Sequence, residues 1–260
     1  MTRESSHDPL LLTVADGVAT IELNRPTQFN ALNIPLAKAL ANAVDAVAAD
    51  DDARVLLLRG SGRMFCAGGD LTAMNAAPNR GSFLRELAGA AHRAILALEQ
   101  LKKPVVAAVQ GSAAGAGLSL TLASDLVLMG SSARLTSAYV GVGLTPDCGM
   151  SWLLPRAVGT KRALELTLTP RVLNAEEAVA WGIATAVVPD AELPSNATNM
   201  AQRLADGPYE AIGLTRHLVR SGASRSLSEH LDLEAASIAS MSAGADAGAR
   251  IVNFLSRSAR

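Results

Sequence analysis

Lys103-Pro104-Val105-Val106-Ala107-Ala108-Val109-Gln110-Gly111-Ser112-Ala113-Ala114-Gly115-Ala116-Gly117-Leu118 decides the fold. Val105 to Val109 is a short unbroken apolar run, as expected of a strand buried on both faces. Gly111 to Gly117 is a glycine-rich loop, and Leu118 to Ala123 continues as an apolar helix. Because the loop opens straight onto that helix, its free N–H groups sit at the positive end of a helix dipole. The pattern has two readings, a tight strand-to-helix turn or a cradle for an oxyanion.

Upstream, the same order occurs. Arg54 to Gly60 is a buried strand ending in glycine, followed by the special loop Ser61 to Asp70, with Phe65-Cys66-Ala67-Gly68-Gly69-Asp70 at its end. Phe83 to Leu101 has the apolar spacing of a long helix, broken by Lys102-Lys103-Pro104. Met74 to Gly81 is polar and turn-rich and is expected to be a mobile loop. At the start of the chain, Leu10, Leu12, Val14 and Ala19, Ile21, Leu23 flank Asp16-Gly17, a hairpin signal. Pro26 ends that strand, and Ile34 to Ala49 follows with helical periodicity. Downstream, Leu126 to Met129 is a further strand, and Asn174 with Glu177 forms a capping-box pattern closed by Gly182. From Glu192 onward no strand signal remains. The expected fold class is α/β, from repeating ββα-like units without clear sequence identity between them. Residues 1–190 are expected to form the core and residues 191–260 a helical C-terminal region.

The 260 residues carry a formal net charge of -1, with 49% hydrophobic and 18% charged residues, an ordinary globular composition. No block of basic residues stands out, so neither nucleic acid nor an anionic membrane is expected as a partner. Cys66 and Cys148 fall in no metal-binding spacing, so no metal site is expected. Nothing demands a disulfide, and a cytoplasmic location is the simpler expectation. Met1 to Pro9 lacks the apolar core of a signal peptide, and no apolar run approaches membrane-spanning length.

The ordered motifs resemble the enoyl-CoA hydratase/isomerase (crotonase) superfamily over nearly the whole chain. They are Asn24-Arg25-Pro26 with Asn30-Ala31-Leu32, Phe65 to Leu71, Lys103 to Gly111, Gly115-Ala116-Gly117-Leu118 with Ser124-Asp125, Gly143-Leu144-Thr145-Pro146-Asp147-Cys148-Gly149, Leu154-Pro155-Arg156, and Ala175 to Ala178 with Trp181-Gly182. The resemblance implies a crotonase-like spiral of ββα units with a C-terminal helical trimerisation region, hence a homotrimer or dimer of trimers. It implies an acyl-CoA thioester substrate and no separate cofactor, coenzyme A being part of the substrate.

By the same resemblance, the backbone N–H groups of Gly69 and Ala116 form the oxyanion hole. The positions where hydratases of the family hold a water with two glutamates are Ser119 and Tyr139, and neither is a carboxylate. Asp147 stands where several double-bond isomerases carry an aspartate; by itself it also suits a turn after Pro146. The stretch through Trp152 to Arg156 looks most like the 1,2-epoxyphenylacetyl-CoA isomerase branch. The family's CoA contacts map onto Arg25, Gln28, Ala31, Ala67, Asp70 and Leu71, largely through main chain. Phe254 and Arg257 match residues that close the site from a neighbouring subunit, although an ordinary amphipathic helix explains Arg257 equally well. The expected activity is an acyl-CoA double-bond isomerase with one aspartate as acid and base. The alternatives are another reaction of the family, including hydration or the dehalogenation of an aryl-CoA, and a non-catalytic acyl-CoA binder.

Overall fold

The structure, a computed structural model, describes residues 8–258, with the side chains of Ala223, Arg257 and Ser258 outside the description. Most of the Met1 to Pro9 segment thus lies outside the described residues. The chain opens with a hairpin of β1 (Leu10–Ala15) and β2 (Val18–Leu23). Leu10 faces Leu23, Leu12 faces Ile21 and Val14 faces Ala19. Asp16 and Gly17 both take left-handed backbone at the turn, the conformation a two-residue hairpin needs to match strand twist. Helix α1 (Ile34–Ala49) begins where the Asn33 side chain takes the Leu36 N–H at 3.0 Å. Strand β3 (Val55–Gly60), helices α2 (Leu71–Ala76) and α3 (Arg80–Gln100), strands β4 (Val105–Val109) and β5 (Ser112–Ala114), and helix α4 (Ala116–Ala123) follow. Next come β6 (Leu126–Gly130), β7 (Arg134–Thr136), α5 (Met150–Val158), α6 (Thr160–Leu168), β8 (Val172–Asn174), α7 (Ala175–Ala180) and β9 (Ala186–Val188). The rest is helical: α8 (Leu193–Ala205), α9 (Tyr209–Ser221), α10 (Leu227–Ser242) and α11 (Ala245–Ser258).

The strands form two sheets, a large one in the order β1-β2-β3-β4-β6-β9 and a small one in the order β5-β7-β8. In β4-β5-α4, and again in β6-β7-α5, the chain lays one strand in the large sheet and one in the small sheet, then enters a helix. This is the ββα spiral expected from the sequence. Beyond the β1–β2 hairpin the large sheet is parallel and is covered on both faces, as parallel sheets require. Leu56, Leu58, Val105 and Ala107 join the cluster beneath α1 and α3. The alternate residues Val55, Leu57, Val106 and Ala108 pack against Leu193, Ala197, Ala201 and Ala205 of α8. The period of two along each strand thus divides one apolar run between two cores.

Two expectations are corrected. Met74 to Gly81 is not a plain loop, because α2 runs to Ala76 and α3 starts at Arg80. Within it Asn79, one of the polar residues that suggest a loop, is a cap that takes the Ser82 N–H at 2.9 Å, as Asp70 caps α2 by taking the Ala73 N–H at 3.0 Å. The Gly111 to Gly117 segment, expected to be irregular, contains β5, which pairs with β7.

Candidate active site

The two glycine loops are bound to each other before any ligand is considered. Cys66 N–H donates to the Ser112 carbonyl at 3.2 Å, and Ala114 N–H donates to the Cys66 carbonyl at 3.0 Å. The approach continues into α4: a Cβ on Gly117 would lie 2.2 Å from the Cys66 carbonyl oxygen. Residue 117 must therefore be glycine for the loops to meet. Gly115 (φ 50, ψ -117) turns the chain into α4, and Ala116 is its first residue. The φ of Ala116 is not positive, so its Cβ causes no backbone strain there.

The Gly69 and Ala116 N–H groups are not taken by any acceptor among the described residues. Ala116 is left free because it belongs to the first turn of a helix, where N–H groups have no intrahelical partner. Gly69 is left free because the neighbouring pairing uses Gly68 and Asp70: Leu32 N–H donates to Gly68, and Asp70 N–H donates to Leu32. Gly69 and Ala116 border one cavity of about 340 Å³, together with Tyr139 and Asp147. Its far wall is apolar and comes largely from Leu84, Leu87, Ala88 and Ala91 of α3, with Met74 of α2.

Two carboxylates, Asp70 and Asp147, line this cavity. Asp70 is occupied. Its side chain caps α2 and pairs with Arg25 at 2.9 Å. Burial opposes its charge, but the Ala73 N–H and Arg25 outweigh that and hold its pKa below the ordinary value. Asp147 accepts at Oδ1 from the Tyr139 hydroxyl at 2.7 Å. Burial first, then the neighbouring Cys148 and Asp147, push the Tyr139 phenol well above its usual value, so Tyr139 remains a donor. Ser119 is fully buried beside the phenol, and its Oγ makes no hydrogen bond of normal geometry. Tyr139 lines the cavity, whereas Ser119, expected to line it as well, lies buried behind the phenol and outside the lining.

The expected CoA-binding residues separate into two groups. Ala67, Asp70 and Leu71 line the cavity. Arg25 acts from behind, pairing with Asp70 and donating to the Ala31 carbonyl. Ala31 is buried, and Gln28 is exposed in a short turn of 3₁₀ helix over Pro26–Gln28. Neither lines the cavity. Phe254 is 70% exposed on α11, also outside the cavity lining, and the Arg257 side chain lies outside the described residues. Burial pushes the Cys66 thiol up to about 12, and burial and Asp147 push that of Cys148 higher still. These buried thiols are poor targets for thiol reagents, although both flank the site.

Sequence reasoning missed two features. His92 of α3 accepts the Cys148 N–H at 3.2 Å, a contact across 56 residues that no local spacing signals. Asn30, fully buried in left-handed backbone, accepts the Arg25 N–H and donates to the Ser61 and Met64 carbonyls. It thereby ties the Asn24-Arg25-Pro26 segment to the first glycine loop. Among the described residues no group of His, Cys, Asp and Glu is arranged to hold a metal ion.

This combination defines a class: a ββα spiral, with two free N–H groups from paired glycine loops facing an apolar cavity. The sequence profile of the enoyl-CoA hydratase/isomerase family matches residues 13–258, and the chain belongs to that family. It is 40% identical over 230 residues to the 1,2-epoxyphenylacetyl-CoA isomerase of Escherichia coli, covering 86% of this chain and 87% of that one. It is 35% identical to 4-chlorobenzoyl coenzyme A dehalogenase-2 of an Arthrobacter species, covering 87% and 83%. The crystal structure of an enoyl-CoA hydratase from Mycobacterium smegmatis superposes with a TM-score of 0.89 at 30% identity, covering 96% of each chain. Isomerases, hydratases and dehalogenases thus all stand among its relatives.

Proposed function

We propose that the protein is an isomerase of unsaturated acyl-CoA thioesters, with Asp147 as its acid and base. The observation that carries this reading is that Asp147 is the one carboxylate bordering the cavity that no cation or helix cap engages. The thioester oxygen of the substrate binds between the N–H groups of Gly69 and Ala116. Asp147 takes a proton from the carbon beside the thioester carbonyl, and the electron pair moves into an enolate whose charge rests on that oxygen. The double bond shifts, and Asp147, whose carboxyl proton can exchange with solvent, delivers a proton two carbons further along. Each N–H contributes about 3 kcal/mol to lowering the barrier. One carboxylate suffices because no water has to be held and activated.

Hydration needs a held and activated water, and the two hydroxyls of Ser119 and Tyr139 cannot supply a base near neutral pH. Dehalogenation by hydrolysis of an aspartyl ester needs a base for water. His92 is the nearby imidazole, but its Nε2 is already engaged by the Cys148 N–H. For assembly we propose a homotrimer or dimer of trimers, formed through residues 191–260, in which Phe254 and Arg257 of one copy close the CoA site of another.

The test is proton exchange. Incubated in heavy water with 2-enoyl, 3-enoyl and aromatic acyl-CoA thioesters, the enzyme should incorporate deuterium beside the thioester carbonyl and shift the double bond. Asp147→Asn should abolish both while still binding acyl-CoA. Full activity in that variant would refute the mechanism, and binding without exchange in the wild type would mark an acyl-CoA binder.

A further inference from the structure

Asp147 opens a tight turn. Its carbonyl accepts the Met150 N–H at 2.9 Å, and the two residues between, Cys148 (φ 50) and Gly149 (φ 73, ψ 4), are both left-handed. This is the type I′ pattern, and it suits glycine or asparagine far better than a residue with a plain Cβ. Gly149 fits, whereas Cys148 does not. The Cys148 residue is 3% exposed, so its N–H needs an acceptor within the protein. The turn supplies none, and the acceptor is His92 Nε2 at 3.2 Å. An accepting Nε2 places the imidazole proton on Nδ1. His92 itself is exposed on α3, the helix that also forms the apolar wall of the cavity.

We propose that His92 is a positioning residue for Asp147. By holding the N–H of the strained Cys148, it keeps the turn left-handed and the carboxylate aimed at the substrate carbon. It also ties the turn that carries the base to the helix that lines the acyl group. The inference rests on the reading of Asp147 as the acid and base. It differs from a role in binding because His92 reaches the site only through the backbone of its neighbour.

The measurement is isomerisation and deuterium exchange of trans-3-hexenoyl-CoA, with melting temperature recorded alongside. His92→Ala should lower kcat at least about tenfold and leave KM within about twofold; the melting temperature should fall by several degrees, because a buried N–H loses its acceptor, with the protein still folded at the assay temperature. Two rescues separate positioning from any other role. His92→Gln keeps an oxygen acceptor and should recover most of kcat. Cys148→Gly, added to His92→Ala, removes the cost of left-handed backbone and should also restore rate over His92→Ala alone. The proposal is overturned if His92→Ala keeps the wild-type kcat, or if it loses rate and neither change restores it. Asp147→Asn, run in parallel, separates the two readings. If it stays active the acid and base assignment fails; if it is dead while His92→Ala is fully active, only the role of His92 fails.

Discussion

Tyr139 and Asp147 are eight residues apart, and the phenol reaches the carboxylate at 2.7 Å. The donor does two things at once. In the proposed mechanism it fixes which carboxylate oxygen faces away from the proton transfer, and it keeps the Asp147 carboxylate in one orientation. A hydrogen bond to a charged group contributes about 1.5–3 kcal/mol. Tyr139→Phe should therefore lower kcat by about 10- to 100-fold with KM little changed, as steady-state kinetics on a 3-enoyl-CoA would show. An unchanged kcat would mean that the carboxylate is oriented by something else. The identities of Asp147, Tyr139 and Ser119 are plain in the sequence, and so is the absence of a carboxylate at residues 119 and 139. The hydroxyl-to-carboxylate contact is not, because it depends on how the short 3₁₀ turn at Val140–Val142 folds the chain back.

Helix α9 shows how an element is held by charge and not by an apolar stripe. Arg216 donates from Nε to Asp125 at 2.6 Å and from its other nitrogens to the carbonyls of Leu98, Glu99 and Leu101. Arg220 reaches the other oxygen of Asp125 at 2.7 Å and pairs with Glu99. The carbonyls of Leu98, Glu99 and Leu101 come from the end of α3 and the residue after it, where four groups lack helical partners, so Arg216 caps one helix while anchoring another. Removing one partner of such a buried group leaves the others unpaired. Arg216→Ala should destabilise the fold by about 3–5 kcal/mol, visible as a lower urea midpoint, with α9 the first segment to lose hydrogen-exchange protection. Loss of less than about 1 kcal/mol would show that water replaces the guanidinium freely.

At the scale of the whole molecule, the last two helices stand out. Helix α10 has no buried residue, and Leu227, Ile238 and Phe254 are each 70–74% exposed. Exposed apolar side chains along these two helices suit a surface that another chain covers. Light scattering should give about three or six times the 26.8 kDa of one chain. The paired change Phe254→Asp and Leu255→Asp should shift the mass toward a single chain and weaken acyl-CoA binding, because the proposed assembly completes that site. A wild-type monomer that turns over acyl-CoA would rule the assembly out.

Sequence by itself determined the opening hairpin, the central strands and long helices of the core, the two glycine loops, the helical end of the chain and the type of each candidate catalytic residue. These follow from periodicity, turn chemistry and side-chain identity, which are properties of neighbouring residues. Tertiary structure alone decided which of the two carboxylates at the cavity is available. Resemblance assigns Asp147 the acid and base role and Asp70 a CoA contact, but the sequence shows no partner for either side chain. Only when the loops pack does Arg25 come from 45 residues away to neutralise Asp70, while Tyr139 and His92 gather around the turn that carries Asp147. Among the described residues the same packing leaves the Gly69 N–H without an acceptor, because Leu32 pairs with the Gly68 carbonyl and the Asp70 N–H on either side, while the Ala116 N–H is free by its place in the first turn of α4.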